Sequence, residues 1–120
     1  MQKKTLVLGA SDNEERYSNM AVKKLVAHHH PVVAVGRKNT SINGIEVTKN
    51  LVQAVDVNTV TLYLNPTAQK EYYDYILSLQ PQRIIFNPGT ENEELVELAK
   101  ANNIQTIEAC TLVMLNTGQY

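Results

Sequence analysis

Four short segments of the chain carry residue types suited to holding a phosphorylated ligand. The first is Gly9-Ala10-Ser11, with Arg16 and Ser18 a few residues on. Gly9 permits a tight turn, and a hydroxyl beside backbone N–H groups at a helix start favours an anion. A dinucleotide fingerprint would place glycines two and five residues after the first, where this chain has Ser11 and Glu14. Tight NAD binding is therefore disfavoured, and Asp12, Glu14 and Glu15 also act against an anion. An ordinary strand-to-helix turn, its acids complementing the helix dipole, is an equally open reading.

The second segment is Gly36-Arg37-Lys38. An NAD site would carry an acid in this region to hold the ribose hydroxyls. Two cations suit instead a ribose that bears a phosphate, as in NADP or coenzyme A, because arginine takes phosphate oxygens bidentately and lysine adds a point charge. Two solvated surface cations would look the same in sequence. The third and fourth segments are Asn65-Pro66 and Asn87-Pro88-Gly89. Proline stiffens the backbone while leaving its carbonyl free, and asparagine supplies both a donor and an acceptor. Such turns could line a groove for an amide-bearing chain, or be plain turn chemistry.

Cys110, the single cysteine, has no partner for an intramolecular disulfide. It is a buried small hydrophobe or, at a helix start, a more reactive thiol facing a ligand. The run His28-His29-His30 precedes Pro31. Adjacent histidines on a helix do not converge on one metal ion, so a cap-and-turn role at a helix end is expected. No serine or cysteine pairs with these histidines at a recognisable spacing, and the acids sit at expected helix starts. No catalytic set and no metal site is expected.

These segments need elements to position them. The strands are expected at Lys4–Gly9, Pro31–Gly36, Val57–Leu64, Arg83–Asn87 and Ile104–Ala109, short apolar runs that suit burial on both faces of a parallel sheet. Between them, Tyr17, Ala21 and Leu25 mark a helical stripe, as do Ala68, Tyr72, Ile76 and Leu79, and then Leu95, Leu98, Ala99 and Asn102. Thr90 and Glu93 have capping-box spacing. In the weaker stretch Asn39–Val55, Asn43-Gly44 marks a turn and Asn50–Val55 is read as one short helix. The alternation implies a three-layer α/β fold, a doubly wound five-stranded parallel sheet with helices on both faces. Such a sheet binds ligands outside the carboxyl ends of its strands, where all four segments fall.

At 120 residues the chain is expected to form one domain over residues 1–120, able to bury a core without metals or disulfides. A net charge of −1 removes the case for broad electrostatic binding to nucleic acid or a membrane surface. No apolar run approaches the ~20 residues that span a bilayer, and the N-terminus does not resemble a signal peptide, so a cytoplasmic protein is expected.

From about Lys4 to about Met114 the sequence resembles the stand-alone CoA-binding domain family. This is the small Rossmann-like domain also found at the N-terminus of the succinyl-CoA synthetase alpha subunit. The carriers are LVLGASDNEERYSNMAVKKL, VVAVGRK, TVTLYLNP, RIIFNPGTENEEL and IEACTLVML, in that order and spacing. The resemblance implies coenzyme A, or an acyl-CoA, as ligand. It implies that Gly9, Ala10 and Ser11 approach the pyrophosphate with Arg16, Tyr17 and Ser18 nearby. Gly36, Arg37 and Lys38 would meet the adenosine end, and Asn65, Pro66, Asn87, Pro88 and Gly89 would border the pantetheine arm. Relatives commonly have Asn-Pro where this chain has Gly36-Arg37, and often glycine at the helix-end position of His29. Synthetases draw their active-site histidine from elsewhere in a much larger chain, so binding is implied more than catalysis. The expected function is a carrier, sensor or regulatory module for a small nucleotide ligand. The alternatives are an NADP-dependent oxidoreductase and a protein-interaction module with a vestigial nucleotide site. A homodimer or a protein partner is left open.

Overall fold

A computed structural model describes residues 2–120. The strands are β1 (Thr5–Ala10), β2 (Val32–Gly36), β3 (Thr40–Ile42), β4 (Ile45–Thr48), β5 (Thr59–Leu62), β6 (Arg83–Phe86) and β7 (Gln105–Glu108). The helices are α1 (Tyr17–Ala27), α2 (Pro66–Gln69), α3 (Tyr73–Ser78), α4 (Glu93–Ala101) and α5 (Thr111–Asn116), with a 3-10 turn at Lys70–Tyr72. The seven strands form one sheet in the order β3-β4-β2-β1-β5-β6-β7. All neighbours are parallel except β3 and β4.

The five expected strands are thus present as β1, β2, β5, β6 and β7, and an edge hairpin adds two more. Asn43 and Gly44 both have positive φ, 46° and 84°, as a two-residue hairpin turn requires. The hairpin is held because Ile42 and Val47, each 2% exposed, enter the core beside Val7 and Val22. Asn50–Val55 is not a helix. Leu51, Gln53 and Val55 are exposed while Val52 and Ala54 are half-buried, an alternation of two rather than a helical stripe. The segment is tied down by Ala54 against the core and by the Tyr75 hydroxyl donating to the Val52 carbonyl at 2.7 Å.

Side chains alternate across the sheet as the pleat requires. Leu6 and Leu8 face a layer completed by Ile76, Leu95 and Ala99 from α3 and α4. Val7 faces the other, completed by Val22 and Leu25 of α1 and Met114 and Leu115 of α5. Three helix expectations need correction. Tyr17 is 69% exposed, and the inward stripe of α1 is Ser18, Ala21, Val22 and Leu25, because the helix begins only at Tyr17. The cap of α4 is Asn92, whose side chain accepts the Leu95 N–H at 3.3 Å, while Thr90 instead donates its hydroxyl to the Asn87 carbonyl at 2.8 Å. The stripe from Ala68 to Leu79 is broken into α2, the 3-10 turn and α3. At the end of α1, His28 is the C-cap and His29 adopts φ 65°, the left-handed conformation that glycine usually supplies there. No helix among the described residues is long and apolar enough to cross a membrane.

Candidate functional site

β1 lies in the middle of the sheet, and the chain crosses from β2 on one side of it to β5 on the other. That reversal of strand order opens a crevice at the carboxyl ends. A cleft of about 600 Å³ lies there. Its floor depends on two glycines. Gly9 has φ 96°, and a Cβ there would come within 3.0 Å of the Tyr63 carbonyl group and Leu64. A Cβ on Gly36 would sit 2.2 Å from the Ala10 carbonyl oxygen. The ends of β1 and β2 are therefore pressed together, and their loops leave the sheet side by side.

The loop after β1 folds on its own polar groups. Ser11 Oγ accepts the Asn13 N–H at 3.1 Å, Asn13 Oδ1 accepts the Glu15 N–H at 2.9 Å, and Asn19 Nδ2 donates to the Ser11 carbonyl at 3.0 Å. The first residues of α1 follow, with Arg16 as N-cap and no side-chain cap bond. The Asn19 N–H donates to the Arg16 carbonyl at 3.1 Å, while those of Tyr17 and Ser18 meet no acceptor among the described residues and remain available for an anion. Of the three acids counted against an anion, two meet cations. Asp12 lies 3.2 Å from Lys38 and Glu14 lies 3.5 Å from Lys23. Hydrogen bonding from Thr40 and then Lys38 holds the Asp12 carboxyl below the usual carboxylate range.

The opposite wall follows β5 and β6. Asn65 caps α2, its Oδ1 accepting the Ala68 N–H at 2.8 Å, with Pro66 as the first helical residue. Asn87 is 3% exposed. Its Nδ2 donates to Thr61 Oγ1 at 2.7 Å and to the Leu62 carbonyl at 2.9 Å, and its Oδ1 accepts the Thr111 N–H at 2.9 Å. Gln69, fully buried, donates to the carbonyls of Leu64 and Thr90, each at 2.8 Å. Asn92 then bridges Gln69 Oε1 and the Tyr73 hydroxyl at 2.9 and 2.8 Å.

Gly9, Ala10, Ser11, Arg16, Tyr17 and Ser18 line the cleft, as do Arg37, Lys38, Asn65, Pro88 and Gly89. Gly36, Pro66, Asn87 and Cys110 do not line it. Gly36 lies beneath the floor, and Asn87 is a clamp inside the wall. Cys110 is a half-buried free thiol at the N-cap of α5. The structure adds Thr40, Tyr63, Leu64 and Thr90 to the lining. Thr40 comes with the hairpin, for which Asn43-Gly44 was the available signal. Tyr63 had only its place before the Asn65-Pro66 turn to mark it. Its hydroxyl is buried without a well-formed hydrogen bond among the described residues, and burial pushes its pKa up to about 12.

A family model described as a CoA binding domain matches residues 3–116. No curated protein matches the chain. A crystal structure of an uncharacterised protein is 47% identical, with a TM-score of 0.97 over 100% of this chain and 99% of that one. A hypothetical protein from Pyrococcus horikoshii is 23% identical, with a TM-score of 0.87 over 97% and 83% of the two chains. A Thermus thermophilus protein is 19% identical, with a TM-score of 0.85 over 99% and 91%. The last two are similar in fold alone.

Proposed function

This chain belongs to the CoA-binding domain family, and from that membership we propose that it binds coenzyme A or an acyl-CoA as a single-domain cytoplasmic module. We infer a role in carrying or sensing the ligand, with no catalysis of its own.

The observation that carries the reading is the composition of the cleft. Arg16, Arg37 and Lys38 line it together with the Gly9–Ser11 turn and the start of α1. Cations and open backbone donors on one side suit the pyrophosphate and the phosphorylated ribose. Asn65, Pro88 and Gly89 on the other side suit a long arm bearing amides, because their exposed backbone can meet it. A volume of about 600 Å³ is within the ordinary range for small-molecule sites, roughly 300–1,000 Å³.

Calorimetry with coenzyme A, dephospho-coenzyme A, NADP and NAD tests the reading. Coenzyme A is expected to bind most tightly, with dephospho-coenzyme A weaker and both ahead of the dinucleotides. Tighter binding of NADP would support the oxidoreductase reading, and no binding of either coenzyme A form would sink the proposal.

A further inference from the structure

Across the mouth of the cleft, one carboxylate oxygen gathers two groups that line the site. Asp12 Oδ2 lies 3.2 Å from Lys38 Nζ and accepts the Thr40 hydroxyl at 3.0 Å. Lys38 and Thr40 line the cleft. The contact spans two pieces of chain: the loop after β1, and the segment that leaves β2 and enters β3 at Thr40. It forms because the close approach of Gly36 to Ala10 starts the two loops together, and because Thr40 follows Lys38 by two residues, held in place by its pairing with Val47 of β4.

We propose that Asp12 is a specificity-determining residue, a built-in competitor that holds Lys38 and Thr40 until a ligand phosphate takes them. The inference rests on the coenzyme A reading above. In the free protein, Asp12 occupies the position a phosphate oxygen would take on Lys38. A phosphate entering there displaces the carboxylate or shares the ammonium with it against like-charge repulsion. Arg16 and Arg37 meet no such competition, since no carboxylate approaches either within 4.0 Å among the described residues. The cost therefore falls on the ligand group that reaches Lys38, and not on the pyrophosphate beside Arg16. Asp12 tempers affinity for the phosphorylated ribose and makes the mouth open as the ligand enters.

The test compares Asp12→Asn with the wild-type chain. Asparagine preserves the acceptor for Thr40 and removes the charge. Coenzyme A is expected to bind about two- to five-fold more tightly to the variant, the range an exposed ion pair supports. Dephospho-coenzyme A should change by less than that. Adding Lys38→Gln to Asp12→Asn should abolish the gain. Equal gains for both ligands, weaker binding of coenzyme A, or a gain that survives Lys38→Gln would overturn the proposal. Inorganic phosphate, followed by NMR of the Lys38 ammonium, supplies an arm free of the adenosine, pyrophosphate and pantetheine contacts. If neither chain binds coenzyme A but the variant binds phosphate at Lys38 more tightly, the coenzyme reading falls and the competitor stands. If both chains bind coenzyme A equally well, the competitor falls and the coenzyme reading stands. If neither chain binds either probe, both fall.

Discussion

On the β5–β6 side of the cleft, Asn87, Gln69 and Asn92 direct their side-chain amides at the protein itself, across seven hydrogen bonds of 2.7 to 2.9 Å. On the β1–β2 side, an exposed ion pair at 3.2 Å bridges two loops, and Arg16 and Arg37 have no carboxylate partner among the described residues. One wall is a scaffold whose buried side-chain amides are already satisfied, and the other keeps its charge for something outside the chain. Buried amides without partners cost far more than exposed cations, which explains why the wall that enters the core is the saturated one.

The largest expected effect tests the footing on which the charged wall stands. Gly36→Ala forces a methyl against the Ala10 carbonyl, which a Cβ would approach to 2.2 Å, and should cost about 3 kcal/mol in urea unfolding. A loss below about 1 kcal/mol would mean that the ends of β1 and β2 separate easily. Next comes the saturated wall. Asn87→Ala leaves the Thr111 N–H and the Leu62 carbonyl without their partner and should destabilise by about 2–3 kcal/mol. If stability held while ligand affinity collapsed, Asn87 would be a ligand contact and the contrast between the walls would fail.

The charged wall should show the reverse pattern. Arg16→Ala and Arg37→Ala are each expected to weaken coenzyme A binding by about 1–3 kcal/mol and to change stability by less than about 0.5 kcal/mol. Unchanged affinity in both would move the phosphates elsewhere.

The smallest effect sharpens the comparison from the far end of the sheet. His30 Nδ1 accepts the Lys3 N–H at 2.9 Å, and its ring meets Tyr120 at 4.9 Å. Burial, then the charges of His28, Lys3 and Arg83, hold its pKa below the usual 6.5. The unfolded chain then binds the proton first. Stability is full above about 6.5 and declines as pH falls through the window beneath it. His30→Asn should flatten that slope in melts at stepped pH, whereas Asp12→Asn should leave it intact. A slope that survives His30→Asn would place the titration elsewhere.

Much of the site was legible because a doubly wound sheet gathers its strand ends at one edge. Knowing that Gly9, Gly36, Asn65 and Asn87 lie at or just after the carboxyl ends of strands was enough to bring most of the named residues to one cleft. The turn at His28-His29-His30 was legible in the same local way; that relatives often have glycine at His29 came from the resemblance, and the structure gives His29 a left-handed φ of 65°. What could not be read was the use of each side chain. Asn65 and Asn87 present the same Asn-Pro dipeptide, yet one is exposed and caps the short helix α2 and the other is locked between β5, β6 and α5. Thr40 was missed because strands of three and four residues carry too little periodicity to stand out from a loop.

By itself, the sequence determined the alternation of strands and helices, the glycine turns and the residue types at each strand end, since these follow from local sterics and apolar period. The tertiary structure alone decided which polar groups are consumed inside the protein. Asp12 and Lys38 lie far apart in the chain and meet only because β1 and β2 are adjacent and Gly36 lets their ends touch. Hydrogen bonding and ion pairing act over a few ångströms, and that distance is set by the packed sheet.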